Sequence, residues 1–68
     1  MKAISGKLLC RLLEGKCWEL KRINGSHHIY AKSGMIVRIS VPVHGNKPLK
    51  IGLQRHIMKI ADIRESDL

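Results

Sequence analysis

Asn24-Gly25-Ser26-His27-His28-Ile29-Tyr30 decides how this chain is read. Asn-Gly is a tight-turn dipeptide that supplies the positive φ angles of a type I′ hairpin turn. The residues on its two sides are therefore expected to be antiparallel neighbours. On the near side, Cys17-Trp18-Glu19-Leu20-Lys21-Arg22-Ile23 alternates charged with larger residues at a period nearer two than 3.6, which marks a strand. On the far side, Ser26 to Lys32 returns as a second strand. Ser33-Gly34 signals another turn, and Met35-Ile36-Val37-Arg38-Ile39-Ser40-Val41, dense in β-branched residues, predicts the strongest strand of the chain. Its Val37, Ile39 and Val41 alternate with Arg38 and Ser40, so one side is expected to be buried and the other to meet water. Pro42 cannot donate to a ladder and is expected to end the strand.

Helical signals flank these strands. Ser5 to Gly15 predicts a short helix, with Ser5 as the cap and Gly15 at the left-handed terminating position. Leu8, Leu9, Leu12 and Leu13 form its apolar stripe, while Lys7 and Arg11, one turn apart, face solvent. Pro42 to Pro48 is a loop. From Lys50 the period becomes helical, with Leu53, Ile57, Ile60 and Ala61 on one face and Lys50, Arg55 and Lys59 mostly on others. Arg64 to Leu68 is a polar tail with at most one weak turn. The expected architecture is one α+β domain over residues 1–68, α-β-β-β-α, with a three-stranded antiparallel sheet and two helices on one of its faces. The other face stays open, carrying alternate strand residues such as Arg38.

Composition narrows the function. The 68 residues hold 13 Lys and Arg against 5 Asp and Glu, a formal charge of +8. That balance suits a polyanionic partner: nucleic acid first, an acidic protein second. The cations are spread along the chain, whereas Asp62, Glu65 and Asp67 cluster at its end, so a folded positive face is expected rather than a basic tail. There is no Phe, one Trp and one Tyr, so the core must be mostly aliphatic. Trp18 and Tyr30 are read as core or half-buried residues before any base-stacking role. Cys10 and Cys17 fit no CxxC spacing and suggest a reducing cytosol. No apolar run approaches the roughly 18 residues of a membrane span, and the N-terminus has no apolar signal core.

Few chemistries survive this sequence. His27 and His28 are adjacent in a strand and point to opposite faces, so they do not easily share a metal ion. No HExxH or paired-Cys spacing offers another site, and no metal or cofactor is expected. No GxSxG or phosphate-loop pattern is present. The Lys47-to-Gly52 approach to the second helix has free amides that suit an anion, but an ordinary helix entry is the better account of them. General base catalysis fits better. A histidine beside a basic groove can take the proton from an RNA 2′-hydroxyl, which then attacks the adjacent phosphate, while Arg and Lys stabilise the charge building on phosphorus. The ordinary alternative is that both histidines are exposed strand residues without a role.

Three segments together resemble one family. Gly15-Lys16-Cys17-Trp18-Glu19-Leu20-Lys21-Arg22-Ile23-Asn24-Gly25-Ser26-His27-His28, Val41-Pro42-Val43-His44, and Leu49 to Ala61 (LKIGLQRHIMKIA) are similar in order and spacing to the HicA toxins, small mRNA interferases of bacterial toxin–antitoxin pairs. The resemblance spans roughly Ile4 to Ile63. It implies a double-stranded-RNA-binding-like fold, cleavage of mRNA, and a HicB antitoxin that covers the site. It also implies that the key residue is the histidine of a glycine-x-histidine motif, here His27, with His28 in reserve. Lys21, Arg22, Lys32 and Arg38 are the candidate phosphate contacts and Ser26 a candidate positioning group. The runner-up is a non-catalytic RNA-binding module of the same fold. A third reading is an interaction protein whose basic face docks an acidic partner.

Overall fold

Ser5 starts the first helix. Its backbone is extended (φ −73°, ψ 157°), and its Oγ accepts the Leu8 N–H at 3.1 Å, satisfying one of the donors that a helix start leaves free. The computed structural model describes residues 1–68 and runs α1 (Gly6–Gly15), β1 (Glu19–Asn24), β2 (His27–Ala31), β3 (Ile39–Pro42), α2 (Ile51–Ala61) and a closing 3₁₀ turn (Glu65–Asp67). The strands form one antiparallel sheet in the order β1-β2-β3. The α-β-β-β-α expectation holds.

Both helices pack on one face of the sheet. Leu9 and Leu13 of α1, Ile57 and Met58 of α2, and Tyr30, Ile39 and Val41 of the sheet belong to a single buried cluster, and Trp18 joins it. The register explains why these strand residues share a face: Tyr30 stands opposite Ile39, and His28 opposite Val41. The α1 stripe is narrower than expected. Leu9 and Leu13, one turn apart, are fully buried, whereas Leu12 is half-buried and Leu8 is exposed on the flank.

Gly6 allows α1 to approach the sheet. A Cβ there would sit on the Pro42 carbonyl oxygen, so only glycine fits. The hydroxyl of buried Tyr30 donates to Glu14 Oε2 at 2.9 Å. Burial, then hydrogen bonding with Cys10 and Glu14, pushes this phenol well above its ordinary pKa. Burial likewise raises the Cys10 thiol. Gln54 is a fully buried polar residue that the periodicity of α2 does not reveal. Its Oε1 accepts the Ile4 N–H at 2.8 Å and its Nε2 donates to the Lys2 carbonyl at 2.7 Å, tying the N-terminal strap to α2.

Four local expectations are corrected. Gly15 lies inside α1, and the left-handed residue is Cys17 (φ 71°). The Cys17 N–H donates to the Glu14 carbonyl and the Trp18 N–H to the Leu13 carbonyl, which is a Schellman ending with buried Trp18 and Leu13 as its apolar pair. At the hairpin only Gly25 has positive φ (62°), and Asn24 pairs with His27. The two turn residues are thus Gly25 and Ser26, the sign pattern of a II′ rather than a I′ turn. Strand β1 starts at Glu19 rather than Cys17. The third strand starts at Ile39 rather than Met35, and Met35, Ile36 and Val37 are exposed. Val37 therefore does not join Ile39 and Val41 in the core. β2 ends at Ala31, so Met35 to Arg38 have no partner strand to meet.

Candidate active site on the open sheet face

The uncovered face of the sheet gathers most of the candidate residues. On β2 the alternation sends His28 and Tyr30 toward the helices and His27, Ile29 and Ala31 to the open side. Strict alternation along β1 would separate Lys21 from Arg22. The register instead slips between Leu20, opposite Tyr30, and Arg22, opposite Ile29, leaving Lys21 as an extra residue. This bulge turns Lys21 and Arg22 to the same open face and keeps Leu20 and Ile23 on the other.

His27 lies at the hairpin end of this face, between Asn24 of β1 and Pro42 of β3. Its Nδ1 is 3.1 Å from the Oγ of Ser40, its diagonal neighbour on β3. His27 is exposed, and its one side-chain hydrogen bond engages Nδ1, leaving Nε2 without a protein partner. Arg22 is diagonal to it on the other side, two residues before Asn24 on β1. The turn is clamped from the residue just after β3: the Val43 N–H donates to the Ser26 carbonyl at 2.7 Å. Ser26 thus contributes its backbone here, and the serine hydroxyl within reach of His27 is that of Ser40. Alternation placed Ser40 on the open side, but its pairing with His27 depends on register and could not be read from spacing.

His28 is separated from His27 by the sheet. It is half-buried on the helix side, between Ile23 and Val41. His44 lies in the loop after β3 and His56 on α2, both exposed. No three His, Cys, Asp or Glu side chains come together in a way that could hold a metal ion.

The cations divide between the two ends of the face. Lys21, Lys32 and Arg38 line a shallow concavity of about 520 Å³ at the end away from the hairpin, together with Met35 and Ile36. Arg22 stays nearer His27. Lys21 pairs with Glu19 at 3.1 Å, whereas Arg22, Lys32 and Arg38 have no carboxylate partner. An anionic chain crossing the open face would meet unpaired positive charge on both sides of β2 and a solvent-facing imidazole at one end. No helix is long and apolar enough to cross a membrane.

Comparison with curated proteins gives no match. Residues 6–63, from the start of α1 to just beyond α2, match the family model described as the HicA toxin of bacterial toxin–antitoxin systems. The match covers both α-helices and all three strands, and the chain belongs to the HicA toxin family: it is the toxin of a toxin–antitoxin system, with an antitoxin as its partner.

Proposed function

We propose that the chain is an endoribonuclease that cleaves mRNA without a metal ion, that His27 is its general base, and that its antitoxin is of the HicB type. The observation that carries this reading is the His27–Ser40 pair on the open, cationic face. With the proton on Nδ1 donated to Ser40 Oγ, Nε2 has a free lone pair directed at solvent. Nε2 takes the proton of an RNA 2′-hydroxyl. The 2′-oxygen attacks the adjacent phosphorus, and the bond from phosphorus to the 5′-oxygen breaks. The products are a 2′,3′-cyclic phosphate and, once water protonates the leaving oxygen, a 5′-hydroxyl. Arg22 is the cation nearest the reacting phosphate, and Lys21, Lys32 and Arg38 hold the strand further along.

The test is a gel of RNA incubated with pure wild-type and His27→Ala protein. General base catalysis is worth about 100- to 10,000-fold, and the variant should lose at least the lower figure while still binding RNA. Cleavage by His27→Ala at the wild-type rate, with His28 intact, would contradict the assignment. Intact RNA bound by the wild-type protein would instead favour the non-catalytic module. Binding should weaken with salt, with a slope of about −0.7 per phosphate neutralised on a single strand.

A further inference from the structure

A 5′-oxygen leaving phosphorus needs a proton, and the chain has three histidines besides His27, a residue type that can supply one near neutral pH. The fold separates the three. His28 is on the helix side of the sheet, and His56 is on α2, which packs against that side. His44 lies at the hairpin end with His27. Pro42 is the residue opposite His27 on β3, and the pairing continues one step beyond it, because the Val43 N–H donates to the Ser26 carbonyl. Two residues after Pro42, His44 is thus a diagonal neighbour of His27, as Ser40 is on the other side of Pro42. Diagonal neighbours stand about 7–8 Å apart, which leaves room for a phosphate between two imidazoles. A tight turn fixes where His44 stands: the Lys47 N–H donates to the His44 carbonyl at 3.1 Å, and Gly45 has positive φ (60°). His44 also lines a concavity of about 370 Å³ with Pro42, Lys47, Lys50, Leu49 and Leu53. No carboxylate lines it, and neither lysine is in an ion pair. Its apolar wall suits a base or ribose, and its lysines suit a phosphate.

We infer that His44 is the general acid of the cleavage, in place of water, and that the concavity beside it receives the nucleotide on the 3′ side of the broken bond. This rests on the ribonuclease reading and on His27 as its base. In an in-line displacement the attacking and leaving oxygens lie on opposite sides of phosphorus, so base and acid must flank the phosphate. His27 takes the proton of the 2′-hydroxyl, and the 2′-oxygen bonds to phosphorus. As the bond from phosphorus to the 5′-oxygen breaks, protonated His44 gives that oxygen its proton. His27 ends protonated and His44 neutral, and exchange with solvent restores both. The strand acquires a direction. Its 5′ part lies along Lys21, Lys32 and Arg38 at the far end of the sheet, and its 3′ part enters the concavity on Lys47 and Lys50.

The experiment begins by locating the bond that the wild-type protein cuts in a single-stranded RNA. Two substrates are then compared: the ordinary RNA, and one with sulfur in place of the 5′-oxygen at that bond. A thiolate leaves without being protonated, so the sulfur substrate needs no acid. His44→Ala and His44→Gln should cut the ordinary RNA at least about 100-fold more slowly than the wild type, and the sulfur substrate nearly as fast. Both should melt as the wild type does, because His44 is exposed. His27→Ala should be slow on both substrates. Lys47→Gln should slow both alike and reduce the salt slope of RNA binding by about 0.7, one phosphate contact on a single strand. Wild-type rates on ordinary RNA for both His44 variants would overturn the assignment. So would an equal loss on the two substrates, which would make His44 a binding residue. An unchanged salt slope in Lys47→Gln would take the 3′ strand out of the concavity. A wild-type protein that cuts no RNA would refute the ribonuclease reading, and the role of His44 with it.

Discussion

The two faces of β2 are made from alternate residues of one short segment and face opposite constraints. Toward the helices, Tyr30 is buried among Ile39, Val41 and the leucines of α1, and its hydroxyl is held by Glu14. Toward solvent, the one side-chain hydrogen bond of His27 is to Ser40. The packed face therefore carries the fold, and changes there should act on stability. The open face carries little packing, and changes there should act on RNA. Stability and activity should separate by residue parity along this strand.

The largest effect expected on the packed side comes from Gly6→Ala. Its methyl group meets the Pro42 carbonyl, which is backbone and cannot turn aside, so α1 must shift away from β3. Overpacking of this kind costs about 1–3 kcal/mol, readable as a lower urea midpoint. An unchanged midpoint would show that the contact between helix and strand is looser than described.

Alkaline pH probes the same face without mutation. Tyr30 and Cys10 both hold their protons more tightly in the folded chain than in the unfolded one. Above the ordinary thiol and phenol range, about pH 9 to 10, the unfolded chain releases protons that the folded chain keeps, so stability falls as pH rises. Below that range the contribution is fully present. The slope should reach about 1.4 kcal/mol per pH unit for each retained proton, and Tyr30→Phe should flatten it. A Tyr30→Phe protein with the wild-type alkaline slope would break this part of the comparison.

On the open side, Ser40→Ala removes the partner that orients His27. A hydrogen bond contributes about 1 kcal/mol, so cleavage should slow about fivefold. Melting should be unaffected, because Ser40 is exposed. A large stability loss with unchanged cleavage would mean that the pair is structural.

Much of this division was legible in the sequence. The hairpin around Gly25, the buried Ile39 and Val41, and the opposite orientation of His27 and His28 all follow from period-two alternation and turn chemistry. What escaped depends on relations between segments. The bulge at Lys21 has no signature in composition; it becomes visible only when Tyr30 and Ile29 are seen opposite Leu20 and Arg22. Sequence adjacency brings only Ser26 to mind as a neighbour of His27; Ser40 comes within reach through the β2–β3 register. Met35 to Val37 has strand propensity but no partner strand, and propensity alone cannot report a missing neighbour. Gln54 interrupts an apolar face because two backbone groups near the N-terminus need its amide, a requirement set by residues about fifty positions away.

The central claim is that the open face of β2 performs the chemistry and the packed face does not. It is tested most directly by cleavage rate and melting temperature measured together on His27→Ala and His28→Ala. His27→Ala should lose cleavage by at least about 100-fold and melt like the wild type. His28→Ala, which removes a half-buried ring opposite Val41, should keep cleaving and melt lower. The reverse pattern, with cleavage lost in His28→Ala and kept in His27→Ala, would contradict the account.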